Sequence, residues 1–183
     1  MTYLGVKHQA RATAQAEHGK AVWTERLEVY AAFIEAVEEA NQVLIIGRTQ
    51  LGSLRRRLST READANSQQA ANDAEEALSS LREAQTAVRA AFKAASRIRV
   101  LGPQQLVDVT ADVVQVLSAR LKALSRGLEA TTRREEGANR WLDEEITHQT
   151  RFVAAFGGFT ARAAHVAEGH ELPTVGAGDA THE

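Results

Sequence analysis

The sequence predicts an all-α protein: a long antiparallel, coiled-coil-like helical hairpin within an up-down-up-down four-helix bundle. Three observations lead there. Apolar residues recur at heptad spacing through most of the 183 residues. Only two prolines occur, Pro103 and Pro173, and the chain between and before them is rich in Ala, Leu, Glu, Gln and Arg. Those residues lose little side-chain entropy on a helical backbone. Aromatics at 5% and charged residues at 25% fit a helix bundle better than a β-sandwich or an α/β enzyme. The length supports one domain with a real core and is short for two.

The first helix is the clearest element. Trp23, Tyr30, Val37, Leu44, Leu51 and Leu58 recur every seven residues, and Phe33, Ala40, Gly47 and Leu54 fill the second seam position. A stripe sustained that long predicts one long helix buried along one face. Residues 1–21 are expected to form an N-terminal helical extension; the stretch from about Lys7 to Lys20 is helical in composition but offers only alanines to bury, so it is expected to overhang the bundle or fray. The bundle itself is expected over 22–169. Residues 170–183, with Leu172-Pro173-Thr174-Val175-Gly176, lack periodicity and are expected to be disordered.

The second helix repeats the pattern with Ala71, Ala74, Leu78, Leu81, Gln85, Val88, Phe92 and Ala95. Its frame is out of step with that of the first helix, which places a turn within 59–67. Ser59 and Glu62, three apart, form a candidate capping box there. An antiparallel fold-back in which partner numbers sum to about 125 sets Tyr30 against Ala95, Val37 against Val88, Leu44 against Leu81 and Leu51 against Ala74 and, on the other seam, Phe33 against Phe92, Ala40 against Gln85, Gly47 against Leu78 and Leu54 against Ala71. Both helices run from acidic (Glu28, Glu35, Glu38, Glu39; Asp73, Glu75, Glu76) to basic (Arg48, Arg55, Arg56, Arg57; Arg89, Lys93, Arg97, Arg99). Antiparallel packing therefore sets opposite charges side by side, which selects orientation more than it stabilises.

Gly102-Pro103 ends the second helix and opens the third, which carries Leu106, Thr110, Val113, Leu117, Leu121, Leu124 and Leu128. The fourth is expected to open at Thr132, with Glu135 completing a capping box, and to reach about Glu168. Its apolar arc is Leu142, Ile146, Gln149, Phe152, Val153, Phe156, Phe159 and Ala163, with Trp141 at the border. Gly157-Gly158 is a candidate kink.

The formal net charge of -2 leaves no polycationic surface for nucleic acid. Cysteine is absent, which excludes disulfides and thiolate chemistry. The longest apolar run, Val43-Leu44-Ile45-Ile46, is far short of the roughly 20 residues that cross a bilayer. No membrane span and a cytoplasmic setting are therefore expected.

Candidate sites are few. Glu145-Ile146-Thr147-His148 has the Glu-x-x-His spacing of ferritin-like di-iron helices, but such a site needs a second pair that the chain lacks. The reading preferred for Glu145 and His148 is a solvated helix face. His165, Glu168 and His170 are read as polarity at a helix C-terminus. Arg55-Arg56-Arg57, with Arg48 and Arg61, point in several directions, and no aromatic residues interleave with them, which disfavours nucleic acid. Asp108 and Asp112 lie in the first turns of a helix, where carboxylates belong electrostatically. Gln85, Gln149 and Asn41 lie at or beside seam positions, where single buried polar residues fix register. No catalytic, cofactor-binding or metal-ligating residue is assigned.

The combination of Trp23, Tyr30, Phe33-Ile34 and Val37, then Ile98, Val100, Gly102-Pro103 and Leu106-Val107, then a closing Phe152/Phe156 helix, resembles uncharacterised all-helical proteins of high-GC Gram-positive bacteria. That resemblance carries no activity to transfer. The function expected is a non-enzymatic helical scaffold or protein-protein interaction module, self-associating or part of a larger assembly, with itself or another protein as partner and no cofactor. The alternatives are a ferritin-like or other ligand-binding bundle and a nucleic-acid-associated regulator.

Overall fold

The computed structural model describes residues 3–59 and 67–168. Four helices account for nearly all of them: α1 (Tyr3–Ser59), α2 (Ser67–Leu101), α3 (Gln104–Thr132) and α4 (Asn139–Ala167), with no strand among the described residues. None of these helices is long and apolar enough to cross a membrane. The all-α, four-helix architecture is the one the heptads predict. α1 packs on all three other helices, and α2 touches α1 and α3 but not α4.

α1 follows its expected seam closely. Tyr30, Phe33, Val37, Ala40, Leu44, Gly47, Leu51 and Leu54 are all buried, and Phe33 meets Phe159 of α4 edge to face with ring centroids 4.8 Å apart. α2 does not follow its expected frame. Its buried residues are Asp73, Ala77, Ser80, Ala84, Ala87, Val88, Ala91 and Ile98, so the stripe turned to the core lies one residue earlier than expected. Leu78 and Phe92 are instead 41% and 43% exposed, and Gln85 is exposed as well. One residue is about 100° of helical rotation. The pairings expected of Leu78, Gln85 and Phe92 with the first helix are thereby displaced. The physical reason is the size of the side chains: alanine at successive seam positions lets two helix backbones approach closely, which leucine and phenylalanine would prevent. The expected charge match has one direct instance, Arg57 Nε lying 2.6 Å from Asp73 Oδ2.

Two capping assignments are corrected. Ser59 is the last residue of α1 and its hydroxyl donates to the Arg56 carbonyl at 2.8 Å; Glu62, its expected partner, lies outside the described residues. Thr132 ends α3 in the same way, donating to Glu129 O at 2.9 Å, so α4 begins seven residues later than expected. A hydroxyl that can accept at an N-terminus can equally donate back to a carbonyl at a C-terminus, and Ser/Thr-x-x-Glu alone does not separate the two. The α3 terminus closes with Arg134 N–H to Thr131 O and Glu135 N–H to Ala130 O, a Schellman arrangement. Arg134 takes the left-handed position (φ 54) usually given to glycine.

The Gly102-Pro103 junction is as expected in place. Gly102 N–H donates to Ile98 O at 2.7 Å, and the Pro103 carbonyl accepts from Leu106 and Val107 at 2.9 and 3.2 Å. A Cβ on Gly102 would stand 2.8 Å from Ile98 O, so this turn needs glycine. α4 runs unbroken through Gly157-Gly158. Residues 170–183, expected to be a disordered tail, lie outside the described residues.

The frame of α2 gives a direct stability test. Leu44→Ala is expected to cost about 2–5 kcal/mol, since Leu44 is fully buried. Leu78→Ala is expected to cost under about 1 kcal/mol, since a half-exposed leucine leaves a smaller cavity. Urea denaturation of the two variants checks the pair; equal losses would return Leu78 to the core.

Candidate functional site

The polar chemistry of the interior is concentrated in one layer built from α1, α3 and α4. Arg120 and Glu145 are both fully buried. Arg120 Nε donates to Glu145 Oε1 at 2.8 Å. Its Nη2 lies 2.8 Å from the same oxygen but without hydrogen-bond alignment. Its Nη1 donates to Asn41 Oδ1 at 2.6 Å, and the guanidinium carbon sits 5.4 Å over the Phe152 ring. From α1, Arg48 Nη1 approaches Glu145 Oε2 at 3.4 Å and donates to Gln149 Oε1.

Helical spacing produces this convergence. Glu145, Gln149 and Phe152 are at i, i+4 and i+7 on α4, and Asn41 and Arg48 are seven apart on α1, so each set shares a face. Arg120 stands between the buried Leu117 and Leu124 on α3. Burial pushes the Arg120 pKa down from the usual arginine value; the charge and hydrogen bond of Glu145 oppose that shift, while the positive charge of Arg48 adds to it. Two guanidiniums thus surround one carboxylate. Glu145 is committed to charge pairing on both oxygens and is not placed to act as a general base or a metal ligand.

This corrects the reading of Glu145 as part of a solvated face. His148 diverges from it and lies 3.6 Å from Glu144 along the helix surface. No group of three or more metal-ligating side chains comes together among the described residues. Of the polar seam residues, Asn41 and Gln149 are hydrogen-bonded within the layer, whereas Gln85 faces outward. Asp108 accepts from Gln104 Nε2 at 2.8 Å, one turn away at the start of α3. Arg57 is paired with Asp73, whereas Arg56 folds back onto Gly52 O and Ser53 at 3.4 Å. His165 is half-buried in the last turn of α4 and Glu168, its C-cap, is exposed; Arg61 and His170 lie outside the described residues.

Arg120 is the residue that the sequence reading passed over. Strict 4-3 alternation from Leu106 runs through Thr110, Val113, Leu117, Arg120, Leu124, Gly127 and Thr131, and every one of those is buried. Choosing Leu121 as the more apolar neighbour of Arg120 lost the frame. On α4 the same alternation from Leu142 passes through Glu145, while Ile146 and Val153, chosen for their hydrophobicity, are exposed.

A second feature is an open groove between α2 and α3. One stretch is lined by Phe92, Ala95 and Arg99 of α2 with Val107, Val114 and Lys122 of α3. The adjoining stretch is lined by Leu78, Leu81 and Glu75 with Leu121, Leu128 and Glu129. It is an apolar trough with charged rims.

Two measurements follow. Arg120→Met and Glu145→Leu, made singly, are each expected to cost about 3–5 kcal/mol because an uncompensated charge is left buried. The double variant is expected to recover most of that loss. Chemical denaturation read as a double-mutant cycle checks it, and additive losses would refute the coupling. Separately, Tyr30 Oη is buried with no hydrogen-bond partner among the described residues, and burial raises its pKa. Tyr30→Phe is therefore expected to leave stability unchanged or raise it by about 1 kcal/mol.

Compared with family models, curated proteins and solved structures, the chain matches none, so any reading of its function rests on the layer, the groove and the helix lengths.

Proposed function

We propose that this protein is a non-enzymatic helical scaffold that acts by presenting helix faces to a second copy or to another protein. The observation that carries this reading is the mismatch of helix lengths. α1 has 57 residues, whereas α3 and α4 have 29 each. At 1.5 Å rise per residue that is about 85 Å against about 44 Å. The first buried residue described in α1 is Val29, and Glu17, Gly19, Lys20, Ala21, Thr24, Glu25 and Glu28 are all exposed.

α1 thus exceeds α3 and α4 by about 42 Å. Helix formation in water is marginal without tertiary burial, and the exposed side chains between Glu17 and Glu28 supply none. Contact with a second chain supplies what the bundle does not. The interior layer supports the same reading, because its charged groups are spent on one another and hold three helices in register.

Light scattering and circular dichroism of the full chain and of a chain beginning at Lys20 test the proposal. The expected result is an assembled full-length chain whose mass and helicity per residue both fall on truncation. A monomer in both cases, with unchanged melting temperature, would remove self-association through the overhang.

A further inference from the structure

α2 carries two heptad stripes, and only one is covered. The alanine stripe turns to the core, while Leu78, Gln85 and Phe92, seven apart, stand on the other side with the two large residues 41% and 43% exposed. Their setting is the α2–α3 groove, with Val114, Leu121 and Leu128 along its floor. Burying alanines and exposing a leucine and a phenylalanine at regular spacing is unfavourable in an isolated bundle. It is the arrangement required when a second helix covers the outer stripe.

The charges say which helix. At one end the groove is rimmed by Glu75 and Glu129, with Arg82 inward of them; at the other end it is rimmed by Arg99, and Lys122 of α3 stands midway along it. The exposed charge of α2 follows the same order, from Glu75, Glu76 and Glu83 to Arg89, Lys93 and Arg97. A helix acidic at one end and basic at the other, as α2 is, is complementary to its own copy turned through a two-fold axis.

We propose that the α2–α3 groove is the interface of a homodimer, in which two copies pack α2 against α2 in antiparallel sense about a two-fold axis at Gln85. Partners then sum to 170. Leu78 of each copy lies opposite Phe92 of the other, large against large on either side of the axis, and the two Gln85 side chains meet on it. A carboxamide has both a donor and an acceptor, so the pair can hydrogen-bond reciprocally. Glu75 and Glu76 of each copy come alongside Lys93 and Arg97 of the other. One polar pair between two apolar layers fixes this register against a slip of a heptad. The inference rests on the reading that the chain self-associates, and adds a second contact with its orientation, on α2 and α3 and apart from the overhang of α1.

The chain has no cysteine, so Gln85→Cys introduces a single thiol that can form only an intermolecular disulfide. A two-fold axis at position 85 brings the two Cα atoms within the roughly 4.4–6.8 Å that a disulfide spans. The experiment oxidises the full-length Gln85→Cys chain beside a Glu38→Cys control, whose position on α1 is exposed, and sediments the wild type and Phe92→Glu. Expected are a wild-type dimer, near-complete cross-linking at 85 with little at 38, and a dimer weakened on the order of 10-fold or more in Phe92→Glu, its helicity retained. A wild-type dimer that does not cross-link at 85 overturns this interface while leaving self-association in place. A wild type that stays monomeric up to about 100 μM overturns the interface and self-association together.

Discussion

A guanidinium and a carboxylate, each without exposed surface, meet where α1, α3 and α4 converge. Removing two such charges from water costs several kcal/mol each, and only good geometry with further hydrogen bonds offsets it. Asn41 satisfies one end of Arg120, the Phe152 face covers its plane, and Arg48 balances the second carboxylate oxygen. Each of these groups reaches its partner in a single axial register of its helix. A slide of one turn, about 5.4 Å, would strand both charges, whereas leucine layers alone would tolerate it far better. The heptads bring the helices together and the ion pair fixes their relative height. Close packing one layer away agrees: a Cβ on Gly127 would stand 2.9 Å from Leu51 Cδ2 and 3.3 Å from Trp141 Cβ, so α1, α3 and α4 also meet without room to adjust.

Much of the fold was legible in the sequence because helix period survives almost any choice of residue. α1 read correctly from Tyr30 to Leu54, since its seam positions there are also its large apolar positions: Tyr30, Phe33, Val37, Leu44, Leu51 and Leu54; Trp23 and Leu58, at the ends of the expected seam, are only half-buried. The errors elsewhere share one cause. At Ala77 against Leu78, Arg120 against Leu121, Glu145 against Ile146 and Phe152 against Val153, a seam position adjoins a bulky hydrophobic residue. Hydrophobicity chose the neighbour in the first three cases and kept both in the last. Strict alternation of three and four picks the seam residue on α3 and α4, whereas on α2 the frame through Leu78 alternates as strictly as the buried frame through Ala77, and alternation alone does not separate them. Spacing is set by backbone geometry, whereas hydrophobicity reports only that some surface wants covering.

The candidate site was hidden for the same reason. An arginine in the middle of a leucine repeat is ordinarily a solvated residue. What marks Arg120 is its place in the alternation, and what makes it tolerable is Glu145 on a helix twenty-five residues later, also in frame. Neither residue signals burial alone. Together, at seam positions of consecutive helices, they are complementary in charge. Asn41 and Gln149 were recognisable as polar seam residues, but the charged pair that they serve was not.

The division of labour among the helices also explains why α2 is the one with an outer stripe. α1, α3 and α4 supply the large core residues and the ion-paired layer, and Phe33, Phe159, Leu117 and Leu124 are wholly buried among them. α2 joins through alanines, Ser80, Val88 and Ile98, which permit close approach but contribute little area per residue; a buried alanine withdraws far less apolar surface than a leucine, at roughly 25 cal/mol per Å². It also makes no contact with α4. α2 is therefore the helix whose buried residues are mostly small, and its Leu78 and Phe92 side chains face the groove. A core built this way is sufficient to dock α2 and insufficient to use all of its apolar surface. The remainder is arranged at heptad spacing with a charge gradient along it, as an interface with another helix would be.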